Sequence, residues 1–234
     1  MRRSAEVDST NRVALDLARS GAPEGVVVAA CSQTAGRGRR GRTWDAAPGS
    51  ALLVSVLLRP ASGAAPLHLA VAVVSLAAAD ACEAVAGFRP GLKWPNDLVV
   101  GDRKLAGVLA EVAGDAVVVG VGLNVASAAP WPPGAVAAEE VAGRSVAVDR
   151  LLDAFLAALG GRYPPGDWAA VASEYRRACT TIGRVVRVDL PDGSFTGAAA
   201  DVSDDGRLLV DVGTCRRAVE AGDVVHLRPT PAPD

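Results

Sequence analysis

Apolar positions Val13, Ala14, Leu17 and Ala18 repeat at helical spacing behind Asp8-Ser9-Thr10 and ahead of Gly21, which predicts a short capped helix. Two unbroken apolar runs, residues 25–31 (GVVVAAC) and 51–58 (ALLVSVLL), are bounded by Gly, Pro or polar residues and predict buried strands. The alanine-rich stretch over 64–86 is interrupted by Pro66, His68, Ser75, Asp80 and Glu83, so it predicts a core helix rather than a membrane span. Pro95 denies residues 92–97 a regular ladder or helix interior and predicts an irregular turn. Residues 104–111 and 117–125 predict two strands joined by a hairpin at Ala113-Gly114-Asp115. The proline-rich segment 126–138 reads as a surface loop placed to cover a site, and helices are expected near 148–159 and 167–178.

From about Thr181 the pattern changes to short alternating strands, 184–190, 195–202, 207–212 and 215–219, split by the turns PDGS and SDDGR. The expected organisation is therefore an α/β (α+β) domain over 1–178, with a mixed or antiparallel sheet, followed by a small β domain over 179–234.

Composition narrows the function classes. The 234 residues are 50% hydrophobic and carry 24 basic against 26 acidic side chains, so a nucleic-acid binder relying on bulk charge is disfavoured. Cys31, Cys82, Cys179 and Cys215 form no CxxC pair, which fits reduced thiols and a cytoplasmic location. His68 and His226 lie far apart without metal-ligand spacing. The start, MRRSAEVDSTN, has no apolar region of a secretory signal, and no membrane association is expected.

Against this near-neutral background, residues 33–44 (QTAGRGRRGRTW) concentrate Arg37, Arg39, Arg40 and Arg42 among Gly36, Gly38 and Gly41. Glycine lets backbone approach a ligand, and guanidinium forks match phosphate or carboxylate. Taken alone the loop is an anion site of unspecified kind. Three further segments accompany it: DSTN (8–11), KWPND with RKLAG (93–97 and 103–107), and GVGLN (120–124). Together the four resemble the biotin protein ligases over nearly the whole chain. The resemblance implies a catalytic domain like that of class II aminoacyl-tRNA synthetases and a C-terminal SH3-like β-barrel. It also implies formation of biotinyl-5'-AMP from biotin and ATP with Mg2+, then transfer of biotin to one lysine of the biotin carboxyl carrier domain of an acetyl-CoA, acyl-CoA or pyruvate carboxylase.

The same resemblance implies the site. Lys104, Arg39 and Arg37 are the expected catalytic group, offsetting the repulsion between carboxylate and α-phosphate, roughly 4 kcal/mol for two unit charges about 4 Å apart at an effective dielectric near 20. Ser9, Thr10, Asn11 and Gln33 are implied at the uncharged biotin head, with Gly36 and Gly38 letting the loop backbone approach the ligand, Gly107, Gly120 and Gly122 thinning the pocket wall, and Trp44 offering a flat apolar face to biotin or adenine. Asn96 and Asn124 are implied at the nucleotide, and Asp97 at its magnesium. Arg40 and Arg42 remain open between pyrophosphate, acceptor and solvent. Only seven residues precede DSTN, so a winged-helix region and operator DNA are not expected; a monomer or weak homodimer is. The rivals are a lipoate or octanoate ligase and, more distantly, a nucleic-acid-binding module.

Overall fold

The computed structural model describes residues 1–60, 67–220 and 222–227. Its larger layer is a seven-stranded sheet built from β1 (Arg2–Val7), β2 (Val27–Gln33), β3 (Ala51–Leu58), β4 (Gly91–Lys93), β5 (Asp97–Val100), β6 (Arg103–Ala113) and β7 (Ala116–Asn124), in the order β1-β2-β3-β7-β6-β5-β4. β1 and β2 are parallel and every other pair is antiparallel, so the sheet is mixed.

All eight residues of β3 are buried because both of its faces are covered. On one face Leu52, Val54, Val56 and Leu58 pack into the main core with α2 (Leu67–Ala86) and α4 (Val148–Arg162). On the other, Leu57 lies under α1 (Thr10–Arg19) with Ala14, Leu15 and Ala18. Two layers of neighbours also explain α2, whose length and hydropathy would suit a membrane although 78% of its most apolar window is buried. Residues 64–66 of the expected helix lie outside the described residues.

The main core, including Leu151 and Phe155 of α4 and Val171 and Tyr175 of α5 (Trp168–Ala178), runs on into a second sheet. That sheet is antiparallel throughout, with β8 (Val185–Leu190), β9 (Gly193–Val202), β10 (Leu208–Val212), β11 (Cys215–Val219) and β12 (Asp223–His226) in the order β11-β10-β9-β8-β12. The junction is fastened by Trp94, which is 2% exposed, donates Nε1–H to the Gly206 carbonyl at 3.0 Å and its backbone N–H to Thr181 Oγ1 at 3.0 Å. Thr181 Oγ1 also meets His226 Nε2 at 3.0 Å, and burial, reinforced by Lys93 and Arg184, pushes the His226 pKa down to about 4. Both histidines are structural here; His68 stacks on Trp94 with ring centroids 6.1 Å apart.

The expected strands and helices occur, with ends shifted by a few residues. Five of these elements went unpredicted. β1 is an exposed edge strand without alternation, β4, β5 and β12 are only three or four residues long, and α3 (Ala138–Ala142) is a single turn stopped by Gly143 at φ 64°. Each is specified by its pairing or packing partner, which a local pattern does not contain. The turn expected over 92–97 is confined to residues 94–96, because Leu92 and Lys93 pair with Leu98 and Asp97 on either side of Pro95.

Candidate active site

One face of the large sheet is left open beside α1. Strand alternation puts Leu53 and Ser55 of β3, Gly120 and Gly122 of β7, and Gly107 and Leu109 of β6 on that face, in two rows fixed by register: Leu53–Gly122–Gly107 and Ser55–Gly120–Leu109. The glycines create a recess of about 260 Å³.

The N-terminus of α1 forms the floor. Ser9, Thr10 and Asn11 are 3–4% exposed, and Ser9 makes no side-chain cap bond. The cap comes from β2 instead: Gln33 Oε1 accepts the Thr10 N–H at 2.8 Å and stands 3.1 Å from Thr10 Oγ1, while Asp8 Oδ1 accepts the Ser9 N–H at 2.6 Å. Ser55 Oγ, fully buried, is 2.6 Å from Asn11 Oδ1 and 2.8 Å from Thr10 Oγ1. A Cβ at Gly120 would strike the Asn11 amide, with Cγ at 3.0 Å and Ser55 Oγ at 3.1 Å.

Trp44 roofs the glycine row. A Cβ at Gly122 would lie 2.7 Å from its Nε1 and 2.9 Å from its Cδ2, and one at Gly107 would lie 3.1 Å from its Cζ3. The indole Nε1 is buried against Gly122 without a hydrogen-bond partner. Lys104 Nζ sits 5.7 Å from the indole centroid and 2.6 Å from Asp97 Oδ1. The lysine's backbone is fixed by segment 126–138: its N–H donates to the Gly134 carbonyl at 2.8 Å and its carbonyl accepts from Val136 N–H at 2.9 Å. That segment was expected to cover a site; it is a bonded flank of β6.

The arginine loop closes the other side as a small hairpin, with Gly38 N–H donating to the Arg42 carbonyl at 2.7 Å and Trp44 N–H to the Gly36 carbonyl at 3.0 Å. Arg40 takes the left-handed conformation at φ 54°. Arg39 Nη1 donates at 3.2 Å to both Asn96 Oδ1 and the Gly222 carbonyl, and burial pulls its pKa below the usual guanidinium value despite Asp223 nearby. Arg40 Nη2 donates to the Asp189 carbonyl at 3.0 Å, and Asp223 pairs with both Arg40, at 3.5 Å, and Arg42. Arg37 Nη1 faces Glu111 Oε1 at 2.9 Å.

Of the residues anticipated from sequence, Ser9, Thr10, Asn11, Gln33, Arg37, Gly38, Arg39, Trp44, Asn96, Asp97, Lys104, Gly107, Gly120 and Gly122 line this one recess. Gly36 and Asn124 do not. A Cβ at Gly36 would collide with the Trp44 carbonyl and approach Gln33 Nε2 to 2.9 Å, so that glycine permits the hairpin to close. Asn124 is 3% exposed and donates Nδ2 to the Val136 and Lys104 carbonyls at 3.1 and 3.3 Å, so it ties segment 126–138 to β6 where contact with adenine was expected. Sequence reading missed Ser55, Glu111 and Asp223, and gave no role to Lys93 although it opens the KWPND motif. Ser55 also had a signal, a lone hydroxyl in an otherwise unbroken apolar strand. Among the described residues no His/Cys/Asp/Glu cluster could by itself hold a metal ion. The four thiols are free, and burial raises the Cys82 pKa to about 12.

Comparison with known proteins accords with this arrangement. Residues 4–125 match the Biotin/lipoate A/B protein ligase family and residues 181–227 match the biotin protein ligase C terminal domain. A biotin--[acetyl-CoA-carboxylase] ligase from Mycobacterium tuberculosis is 42% identical, over 96% of this chain and 88% of that protein. One from Paracoccus denitrificans is 33% identical, over 94% of this chain and 98% of its own. The structure of biotin protein ligase from Aquifex aeolicus in complex with biotin and ATP superposes with a TM-score of 0.83 at 26% identity, covering 97% of this chain and 98% of that one. The glycine-walled recess, the lysine at its mouth and the arginine hairpin thus stand in a chain that belongs to the biotin/lipoate A/B protein ligase family, among the biotin protein ligases.

Proposed function

We propose that the protein activates biotin with ATP to biotinyl-5'-AMP and transfers the biotinyl group to a lysine of a biotin carboxyl carrier domain. The observation that carries this reading is the convergence, in one recess, of an uncharged hydrogen-bonding floor and a cationic rim. The floor suits a neutral ureido ring, whose carbonyl accepts and whose N–H groups donate. The rim suits the anions. In the first step a biotin carboxylate oxygen attacks the α-phosphorus and pyrophosphate leaves; in the second the acceptor amine attacks the acyl carbon, AMP leaves and the amine loses a proton.

Lys104 stands beside Trp44 at the mouth of the glycine row, where the carboxylate of a ligand seated head-down would emerge. Its charge offsets the repulsion between carboxylate and phosphate, and counters the charge that grows on the phosphoryl oxygens. Arg39 and Arg37 supply further donors from the loop, and Asn96 holds Arg39. Asp97 is the carboxylate in the recess nearest Lys104 and, with phosphate oxygens, fits a magnesium ion that arrives with the nucleotide, since that ion commonly takes one or two protein carboxylates. When bound, the ion would neutralise phosphate charge. We also assign 1–178 as the catalytic unit, of class II synthetase-like form, and 179–234 as an SH3-like unit that steadies the arginine loop. The carrier of acetyl-CoA carboxylase is the acceptor by analogy with the named relatives, and a cytoplasmic setting is in keeping with four unpaired cysteines.

Incubation with biotin, magnesium-ATP and an acetyl-CoA carboxylase carrier domain is expected to yield a carrier heavier by one biotinyl group on a single lysine. A carrier left unmodified, or modified equally well with lipoate, would overturn the reading.

A further inference from the structure

The floor and the arginine loop are joined by one side chain that neither motif contains. Glu111, on the same face of β6 as Gly107 and Leu109, has a side chain 21% exposed. One carboxylate oxygen accepts Asn11 Nδ2–H at 2.9 Å and the other faces Arg37 Nη1 at 2.9 Å. Asn11 Nδ2 also donates to the Leu109 carbonyl at 3.1 Å.

An amide that meets two acceptors must turn its nitrogen toward them. The ionised carboxylate and the Leu109 carbonyl therefore fix Asn11, and its Oδ1 is turned to Ser55. That oxygen has no proton, so Ser55 gives it the single hydroxyl proton it has and presents lone pairs to Thr10 Oγ1, 2.8 Å away. The Thr10 hydroxyl proton is then shared between Ser55 and Gln33 Oε1. The Glu111 carboxylate, with the Leu109 carbonyl, thus sets the orientation of Asn11 and, through it, of the Ser55 and Thr10 hydroxyls. Chains of this kind in a low-dielectric setting strengthen when all members agree and weaken when one is left unpaired.

We propose that Glu111 is a positioning residue for the head group: it sets the donor–acceptor polarity of the floor through Asn11 and, by holding Arg37 against β6, registers the loop over it. The inference rests on the biotin reading and names a determinant of its specificity, because a floor of defined polarity rejects head groups that cannot return its hydrogen bonds.

Biotin binding by titration calorimetry and steady-state kinetics for Glu111→Ala and Glu111→Gln test it. E111A is expected to weaken biotin binding roughly tenfold or more, since Asn11 loses a buried acceptor. E111Q, whose amide oxygen can still accept from Asn11, is expected to recover most of that affinity, and in E111A the fall in biotin affinity should exceed any change in kcat at saturating biotin or in KM for ATP. An E111A affinity equal to that of the unmutated protein would overturn the proposal, as would a parallel fall in biotin binding, ATP binding and kcat. Should E111A fold poorly, E111Q and Arg37→Ala are combined: non-additive effects on biotin affinity are expected, and additive ones would overturn it. An unmutated protein that bound no biotin would remove the biotin reading as well, which distinguishes the two failures.

Discussion

The floor of the recess and the loop that closes it are held by opposite means. Floor residues Ser9–Asn11, Gln33 and Ser55 are uncharged and largely or fully buried, and Thr10, Asn11, Gln33 and Ser55 are bonded to one another across α1, β2 and β3. The loop is exposed and charged, and its arginines lean on carboxylates and carbonyls of other elements: Arg37 on Glu111, Arg39 on Gly222, Arg40 and Arg42 on Asp223. Lys104 has Asp97 in the same way. If the floor takes the neutral head, as proposed, its recognition is built in before any ligand arrives, whereas the proposed grip on an anion is an exchange in which ligand oxygens replace the protein's own carboxylates. The first can be rigid. The second must be able to open.

The largest effect expected from breaking this division is at Lys104. Replacing it with alanine removes the cation at the mouth and leaves Asp97 to repel the phosphates, so biotin-dependent pyrophosphate release should fall on the order of 10² to 10³-fold or more. Biotin binding, which belongs to the floor, should survive within a few-fold. A lysine variant with near-normal pyrophosphate release would show that the division between floor and rim is misplaced.

Gly122 probes the rigid side. A Cβ there meets the Trp44 indole, and overpacking of about 1–3 kcal/mol corresponds to roughly 5- to 150-fold in affinity. Gly122→Ala should weaken biotin binding in that range while leaving KM for ATP nearly unchanged, measured by calorimetry and initial rates. Gly114→Ala, in the hairpin between β6 and β7 at φ 62°, gives the contrast: it costs folding stability through strain at the turn and leaves the ratio of biotin to ATP affinity as it was.

The floor was more legible in the sequence than the seam that holds the loop, and the reason is physical. Apolar runs such as 51–58 and the DSTN turn specify local structure by their own pattern, so β3 and α1 emerged with nearly their observed bounds. The ordered motifs contain most of the residues that line the recess. What could not be read was pairing between distant segments: Asp223 meets Arg42 across 181 positions, and Glu111 meets Asn11 across 100. Asn124 shows the complementary case, a motif position whose Nδ2 donates to the Lys104 and Val136 carbonyls and which does not line the recess. Motifs name residue types, and only the folded register says which of them face the recess.

Asp223 sharpens the mobile side. Its pairing with the well-exposed Arg42 is a near-surface contact, a class that contributes about 0–1 kcal/mol, so Asp223→Asn should change ATP affinity by no more than about fivefold. The direction is informative. If the carboxylate competes with ligand oxygens, as the exchange picture requires, KM for ATP falls and becomes more sensitive to salt; a rise in KM would mean that Asp223 holds the arginines ready.

The smallest expected effect is a pH dependence confined to the same seam. His226 lies on β12, three residues after Asp223, and its pKa of about 4 is below the ordinary value near 6.5 because burial and the cations Lys93 and Arg184 disfavour its charged form. The unfolded chain therefore binds a proton near pH 6.5 that the folded protein refuses until about pH 4. Stability contributed by neutral His226 is full above pH 6.5 and is lost as pH falls through that window; with solvent screening of a half-buried group it amounts to on the order of 1 kcal/mol. Because β12 holds Asp223, acid should loosen the loop before the floor: amide exchange at residues 37–42 should quicken between pH 6.5 and 4.5, after correction for intrinsic rates, while exchange at 9–11 does not. His226→Gln should flatten that difference. Equal acid sensitivity of the two segments would mean that they are not held independently, and the contrast between a rigid floor and an exchangeable grip would fail at its weakest joint.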